Sequence, residues 1–184
     1  MKNLFDLSGK TVLITGAAGI LGRQHANAVV SHGATVILAD INIEKTIALA
    51  SELNEKYDCS RAYAEYMDVL DKNSIEKVAK RYEKIDILIN NAAKDTKVEK
   101  SGDLSLSNRF EHMSLEHWNS DMKVGLDGSF LCSQVIANKM LATGGGNIIN
   151  IASDLATIAP DQRIYRKSGT REEDQHVKPV TYSV

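Results

Sequence analysis

Five short runs of aliphatic and β-branched residues recur along the chain, at 11–15 (TVLIT), 35–39 (TVILA), 61–66 (RAYAEY), 86–90 (DILIN) and 147–151 (NIINI). Four are almost continuously apolar, the pattern of strands covered on both faces of a parallel sheet. RAYAEY alternates and is expected at a sheet edge. Between the runs the apolar period lengthens to three or four. Ile43, Ile47, Ala50, Leu53 and Tyr57 mark one helical face. Ile75, Val78, Ala79 and Tyr82 mark another, with Asp71 and Asn73 as cap-type residues near its start. A long helix is predicted over 115–141, with a broad stripe of Phe130, Leu131, Val135, Ile136, Met140 and Leu141. Gly144, Gly145 and Gly146 stop it. This alternation predicts an α/β fold with right-handed crossovers.

Two polar stretches break the rhythm. Residues 94–114 read as a long loop after the fourth strand, and loops of that length are often functional. Residues 161–178 carry charges of both signs and read as a second surface loop rather than a linker between domains. The chain's 184 residues suit a single domain. A formal net charge of −2 argues against a nucleic-acid or acidic-membrane partner. Apolar runs stay far below the ~20 residues that span a bilayer. Cys59 and Cys132 make no disulfide framework, and no secretory signal opens the chain, so a cytoplasmic setting is expected. Histidines 25, 32, 112, 117 and 176 lack ligand spacing, and no metal is expected.

The chemistry begins after the first strand, in Thr15-Gly16-Ala17-Ala18-Gly19-Ile20-Leu21-Gly22. Glycines at 16, 19 and 22 allow a tight turn, backbone approach to a pyrophosphate and close helix–strand packing. The helix that follows presents unpaired N–H groups to the phosphates. Gly16, Gly19, Ile20, Leu21 and Gly22 are therefore candidate cofactor contacts. The second strand ends at Asp40, 18 residues beyond Gly22. A carboxylate there accepts hydrogen bonds from the ribose hydroxyls of NAD and repels the 2′-phosphate of NADP. Its neighbour Ile41 supplies no positive charge for NADP, although Arg23, just past the turn, stands within reach of a phosphate.

With these residues in place, the chain resembles the classical branch of the short-chain dehydrogenase/reductase family over essentially its whole length. The matching pieces are TGAAGILG (15–22), Asp40, Met67-Asp68-Val69, Asn90-Asn91-Ala92-Ala93, His117-Trp118, FLCSQ (130–134) and NIINIAS (147–153). The resemblance implies a Rossmann-type doubly wound parallel sheet with strand order 3-2-1-4-5, and further strands and helices beyond the residues given. It implies that Asp68 meets the adenine amino group beside the Val69 backbone. It also implies that Asn91, Ala92 and Ala93 line the adenosine ribose, that Asn90 braces the sheet and that Ser153 binds the substrate oxygen. Some family members of similar appearance serve bacterial surface-glycan or flagellin modification, which would suit the charged 161–178 stretch. The family pairs its long helix across a dimer, which implies a homo-oligomer, dimer or tetramer.

Three departures from the family pattern stand out. The spacing TGxxGxxG is more typical of the extended branch, which includes nucleotide-sugar epimerases and dehydratases. Gly125 occupies the place of the family's helical Asn. The family's tyrosine is followed four residues later by a lysine; Tyr165 has Gly169 there, whereas Tyr182 sits in a better-matching context and its +4 position lies past Val184. Tyr182 is the preferred catalytic tyrosine, with 161–178 as an insertion between it and Ser153. The expected function is NAD-dependent hydride transfer between the nicotinamide and a small polar secondary alcohol or ketone. The alternatives are a dinucleotide-binding module without turnover and an epimerase. The family fold needs roughly 250 residues, so the chain is expected to be part of a longer protein.

Overall fold

The aliphatic runs become strands because their side chains fill both faces of a pleated sheet. In the computed structural model, which describes residues 4–94 and 108–183, the strands are β1 (Thr11–Thr15), β2 (Thr35–Asp40), β3 (Ala62–Tyr66), β4 (Ile87–Asn90) and β5 (Asn147–Asn150). They form one parallel sheet in the order β3-β2-β1-β4-β5. The register pairs Val12 with Val36, Leu13 with Ile37 and Ile14 with Leu38. β4 sets Leu88 beside Leu13. The carboxyl ends of β1 to β4 therefore line one edge, at Thr15, Asp40, Tyr66 and Asn90.

Helices cover both faces. α1 (Ile20–Ser31) and α2 (Ile43–Lys56) pack Ala26, Val30, Leu49 and Leu53 on Val12, Ile14, Val36 and Leu38. Pleating turns Leu13, Ile37 and Leu88 to the opposite face, where all three are fully buried. That side carries α3 (Lys72–Arg81), with Ile75 and Val78 buried, and α5 (Gly128–Ala142), which buries every fourth residue: Gly128, Cys132, Ile136 and Met140. A remaining helix, α4, spans Leu115–Met122. By internal contacts the chain divides into two compact units, Met1–Ala93 with Leu126–Ile151, and Lys94–Gly125 with Ala152–Val184.

The strand starts are tied as well. The Thr11 N–H donates to Asp86 Oδ2 at 3.0 Å, and Lys84 and Lys10 reach Oδ1 at 2.7 and 3.4 Å. Burial works to raise this carboxyl's pKa, but the Lys84 ammonium, the Thr11 N–H and Lys10 outweigh it and hold the group below its usual range.

Several expectations are corrected. The α2 face is rotated: Thr46, Leu49, Ala50 and Leu53 are buried while Ile47 is 53% exposed. The Thr46 hydroxyl donates to the Asn42 carbonyl at 2.7 Å, which lets a polar residue sit inside. The helix predicted over 115–141 is interrupted by a π-helical turn, Lys123–Asp127. β5 is open along its length rather than covered on both faces, because it is an edge strand whose one partner among the described strands is β4. β3 occupies the other edge, as its alternation predicts. Most of the expected 94–114 loop, residues 95–107, lies outside the described residues; 108–114 hold the 3-10 turn Phe110–His112. The 161–178 stretch folds into 3-10 turns at Gln162–Tyr165 and Glu172–Asp174.

Candidate active site

The glycine turn in the first unit is shaped by close backbone approach. Gly16 takes φ +62°, and a Cβ on it would stand 2.8 Å from Ala92 Cα. On Gly22 a Cβ would stand 2.7 Å from Ala17 Cα and would also strike the Gly16 carbonyl. Only glycine permits this contact between strand exit and helix. Ile20 and Leu21 open α1 and are 86% and 56% exposed. Among the described residues no side chain caps α1, and no acidic residue lies in its first turn. By contrast, Asn42 and Asp71 cap α2 and α3. An uncapped helix N-terminus behind a glycine turn suits a phosphate group, whose oxygens accept from free N–H groups at the positive dipole end.

Asp40 is fixed beside this turn. Its Oδ2 accepts from the Ala18 N–H at 3.0 Å and its Oδ1 from the Asn42 N–H at 2.9 Å. Ile41, 66% exposed, brings no charge. Arg23 is engaged elsewhere, with its guanidinium 2.6 Å from Glu52. The residues here fit the adenosine half of a nicotinamide dinucleotide.

Asn91 works on the turn itself. Its side-chain amide donates to the carbonyls of Thr15 and Gly16 at 2.9 and 3.0 Å. The N–H groups of Asn91 and Ala92 donate to Thr15 Oγ1 at 3.0 and 2.9 Å. Ala92 is half-buried and Ala93 exposed at the same edge. Asn90 braces the sheet as expected, donating to Asn150 Oδ1 at 2.8 Å and Ser133 Oγ at 3.0 Å. Asp68 Oδ1 accepts from the Leu70 N–H at 2.8 Å. Val69 is buried under α5, where a Cβ on Gly128 would stand 2.7 Å from Val69 Cγ2.

The second unit holds the other candidates. The Ser153 hydroxyl accepts from the Leu155 N–H and donates to Asp154 Oδ1, both at 3.2 Å. It caps the 3-10 turn Asp154–Ala156, which packs on the turn Val180–Ser183 that carries Tyr182. Tyr182 is 40% exposed, with the Lys178 ammonium 3.9 Å from its ring centroid. Tyr165 ends its own turn, half-buried. Asp121, missed in the sequence, is 7% exposed. Its Oδ2 accepts from the Thr181 hydroxyl at 2.9 Å and faces His117 at 3.4 Å, and Lys94 lies 3.7 Å from Oδ1. The i,i+4 pair His117–Asp121 is the signal that could have exposed it. Among the described residues, a Cβ on Gly125 would meet nothing within 4 Å. Burial pushes the Cys132 thiol up to about 12, leaving it unreactive. Among the described residues no His, Cys, Asp and Glu group could hold a metal.

Comparison with known proteins agrees with this geometry. The sequence profile of the family described as short chain dehydrogenase matches residues 10–165. Over 164 residues the chain is 37% identical to the D-threitol dehydrogenase of Mycolicibacterium smegmatis, covering 87% of this chain and 58% of that protein. It is also 37% identical over 164 residues to the NAD-dependent glycerol dehydrogenase of Listeria innocua, covering 87% and 59%. The gluconate 5-dehydrogenase of Burkholderia cenocepacia J2315, solved in complex with NADP and tartrate, superposes with a TM-score of 0.74 at 26% identity. That match covers 97% of this chain and 61% of the other. The chain thus spans less than two thirds of the relatives it resembles. With the profile match, the sheet order and the glycine turn in agreement, the chain belongs to the short-chain dehydrogenase family.

Proposed function

We propose that the protein is an NAD-dependent oxidoreductase interconverting a secondary alcohol of a small polyol and its ketone. The observation that carries the reading is the Asp40 carboxylate, fixed by the Ala18 and Asn42 N–H groups beside an uncapped helix N-terminus. Gly16, Gly19 and Gly22 let the backbone approach the pyrophosphate, with Ile20 and Leu21 opening the helix behind it. Asp40 accepts from the ribose hydroxyls and disfavours a 2′-phosphate. Ile41 adds no charge to offset it, and Glu52 occupies Arg23. Asp68, Val69, Ala92 and Ala93 line the adenosine side, and Asn91 holds the turn in shape.

When bound, the nicotinamide accepts or supplies the hydride. Tyr182 takes the alcohol proton in oxidation and returns it in reduction, while Ser153 holds the substrate oxygen. A free tyrosine, with pKa ≈ 10, is a poor base at neutral pH. The Lys178 ammonium lies 3.9 Å from the Tyr182 ring centroid. Asp121 steadies the turn through Thr181.

The substrate class follows the named relatives, a threitol and a glycerol dehydrogenase, and the surface-glycan subtype is set aside. The exposed Phe130 and Leu141 on α5 support a homo-oligomer, dimer or tetramer. Free thiols at Cys59 and Cys132 support a cytoplasmic setting. Among the described residues no helix is long and apolar enough to cross a membrane.

The test is nicotinamide absorbance with threitol, glycerol and sorbitol. NADH forms in the intact protein, and Tyr182→Phe lowers kcat by about 10²–10⁴-fold. Dinucleotide binding without any absorbance change would favour a module without turnover.

A further inference from the structure

We propose that a cleft in the second unit reads the remaining hydroxyl groups of the substrate, with Asn108 and His176 as its specificity-determining residues. This rests on the oxidoreductase reading above. The cleft measures about 420 Å³, within the range of small-molecule sites, and both residues line it. Asn108 is 2% exposed, yet among the described residues its Oδ1 has no hydrogen-bond partner. The buried Nδ1 of His176 is likewise unpartnered. Buried polar atoms are nearly always paired, so two orphans on one cleft wall mark where a ligand supplies the missing donors.

The other polar groups of the wall are already matched, which defines the ligand's chemistry. Arg163 is bonded to the Asp161 carboxylate at 2.7 Å and Arg166 to Glu172 at 2.6 Å. The Gln162 amide is used in both directions, donating to the Lys178 carbonyl at 3.2 Å and accepting its N–H at 2.9 Å. With the guanidinium groups neutralised by carboxylates, the open positions are uncharged. Asn108 Oδ1 accepts a hydroxyl proton, and so does His176 Nδ1 in the tautomer protonated at Nε2. Pro179 and Val180 supply apolar wall for C–H groups. A neutral polyol, with O–H donors on a C–H frame, meets both demands. An acyl chain would leave both acceptors unpaired. Lys178 lines the cleft, and its ammonium lies over the ring of Tyr182, the proposed base.

The test uses the intact enzyme with sorbitol and threitol against 2-butanol, which lacks further hydroxyls. In wild type kcat/KM for the polyols exceeds that for 2-butanol by about a hundredfold. Asn108→Leu and His176→Phe each narrow that ratio about tenfold, through the polyol KM. Asn108→Ser and His176→Gln serve where the first pair does not fold. A polyol KM within about twofold of wild type in both variants overturns the pocket and leaves the oxidoreductase reading standing. If no alcohol yields NADH, that reading fails, and calorimetric titration with sorbitol in the presence of NAD then decides the pocket alone. Binding heat lost in Asn108→Leu supports it; equal heat in wild type and variant, or none in either, overturns it.

Discussion

At the scale of single residues, the site depends on atoms that are missing as much as on those present. Gly16 combines a positive φ with a backbone neighbour 2.8 Å from where a Cβ would stand, so no rotamer relieves the clash. Gly16→Ala should destabilise the fold by about 1–3 kcal/mol and weaken dinucleotide binding. Thermal unfolding and a cofactor titration check both effects. Asp121 illustrates a different dependence. A buried carboxylate facing His117, Lys94 and Thr181 holds the turn that carries Tyr182. Asp121→Asn should lower kcat while leaving NAD affinity near wild type. Equal losses in both would assign it to general stability.

At the scale of elements, strand placement was legible because aliphatic runs leave few alternatives. The glycine turn and Asp40 were legible because strand, glycines, helix and acid occur in a fixed order. Other features depend on partners distant in the chain. The buried face of α2 was misread because hydropathy favours Ile47 over Thr46, and the hydrogen bond that lets Thr46 sit inside is invisible in composition. The π-helical turn at Lys123–Asp127 has no periodic signature. The exposure of β5 is set by its neighbours, since its own residues read as a buried strand. Asn108 and His176 lie far apart in the chain and meet only on the cleft. Asp86 yields an element-scale prediction, since it joins the starts of β1 and β4. Its folded pKa is lowered, so its contribution is fully present above the unfolded value of about 3.9 and fades as pH falls through the folded one. Asp86→Asn should cost about 2 kcal/mol at pH 7, and the gap should close below about pH 4. Denaturant melts across pH measure it; a gap independent of pH would contradict the ion-pair account.

At the scale of the whole molecule, the first unit carries the proposed dinucleotide site and leaves apolar surface open. Phe130 is 63% and Leu141 78% exposed on α5, while Cys132, Ile136 and Met140 of the same helix are buried. Light scattering should give a mass of two or four chains, and Phe130→Glu with Leu141→Glu should reduce it to one. An unchanged mass would remove α5 from the interface. The central claim, however, is that the sheet edge at Thr15, Asp40 and Asn90 selects a dinucleotide with free ribose hydroxyls. Calorimetric titration of wild type and Asp40→Ala with NAD and NADP tests it most directly. NAD should bind at least about tenfold more tightly than NADP, a gap of about 1.4 kcal/mol, and Asp40→Ala should abolish the difference. Wild-type protein that bound NADP as tightly as NAD, or bound neither, would contradict the account.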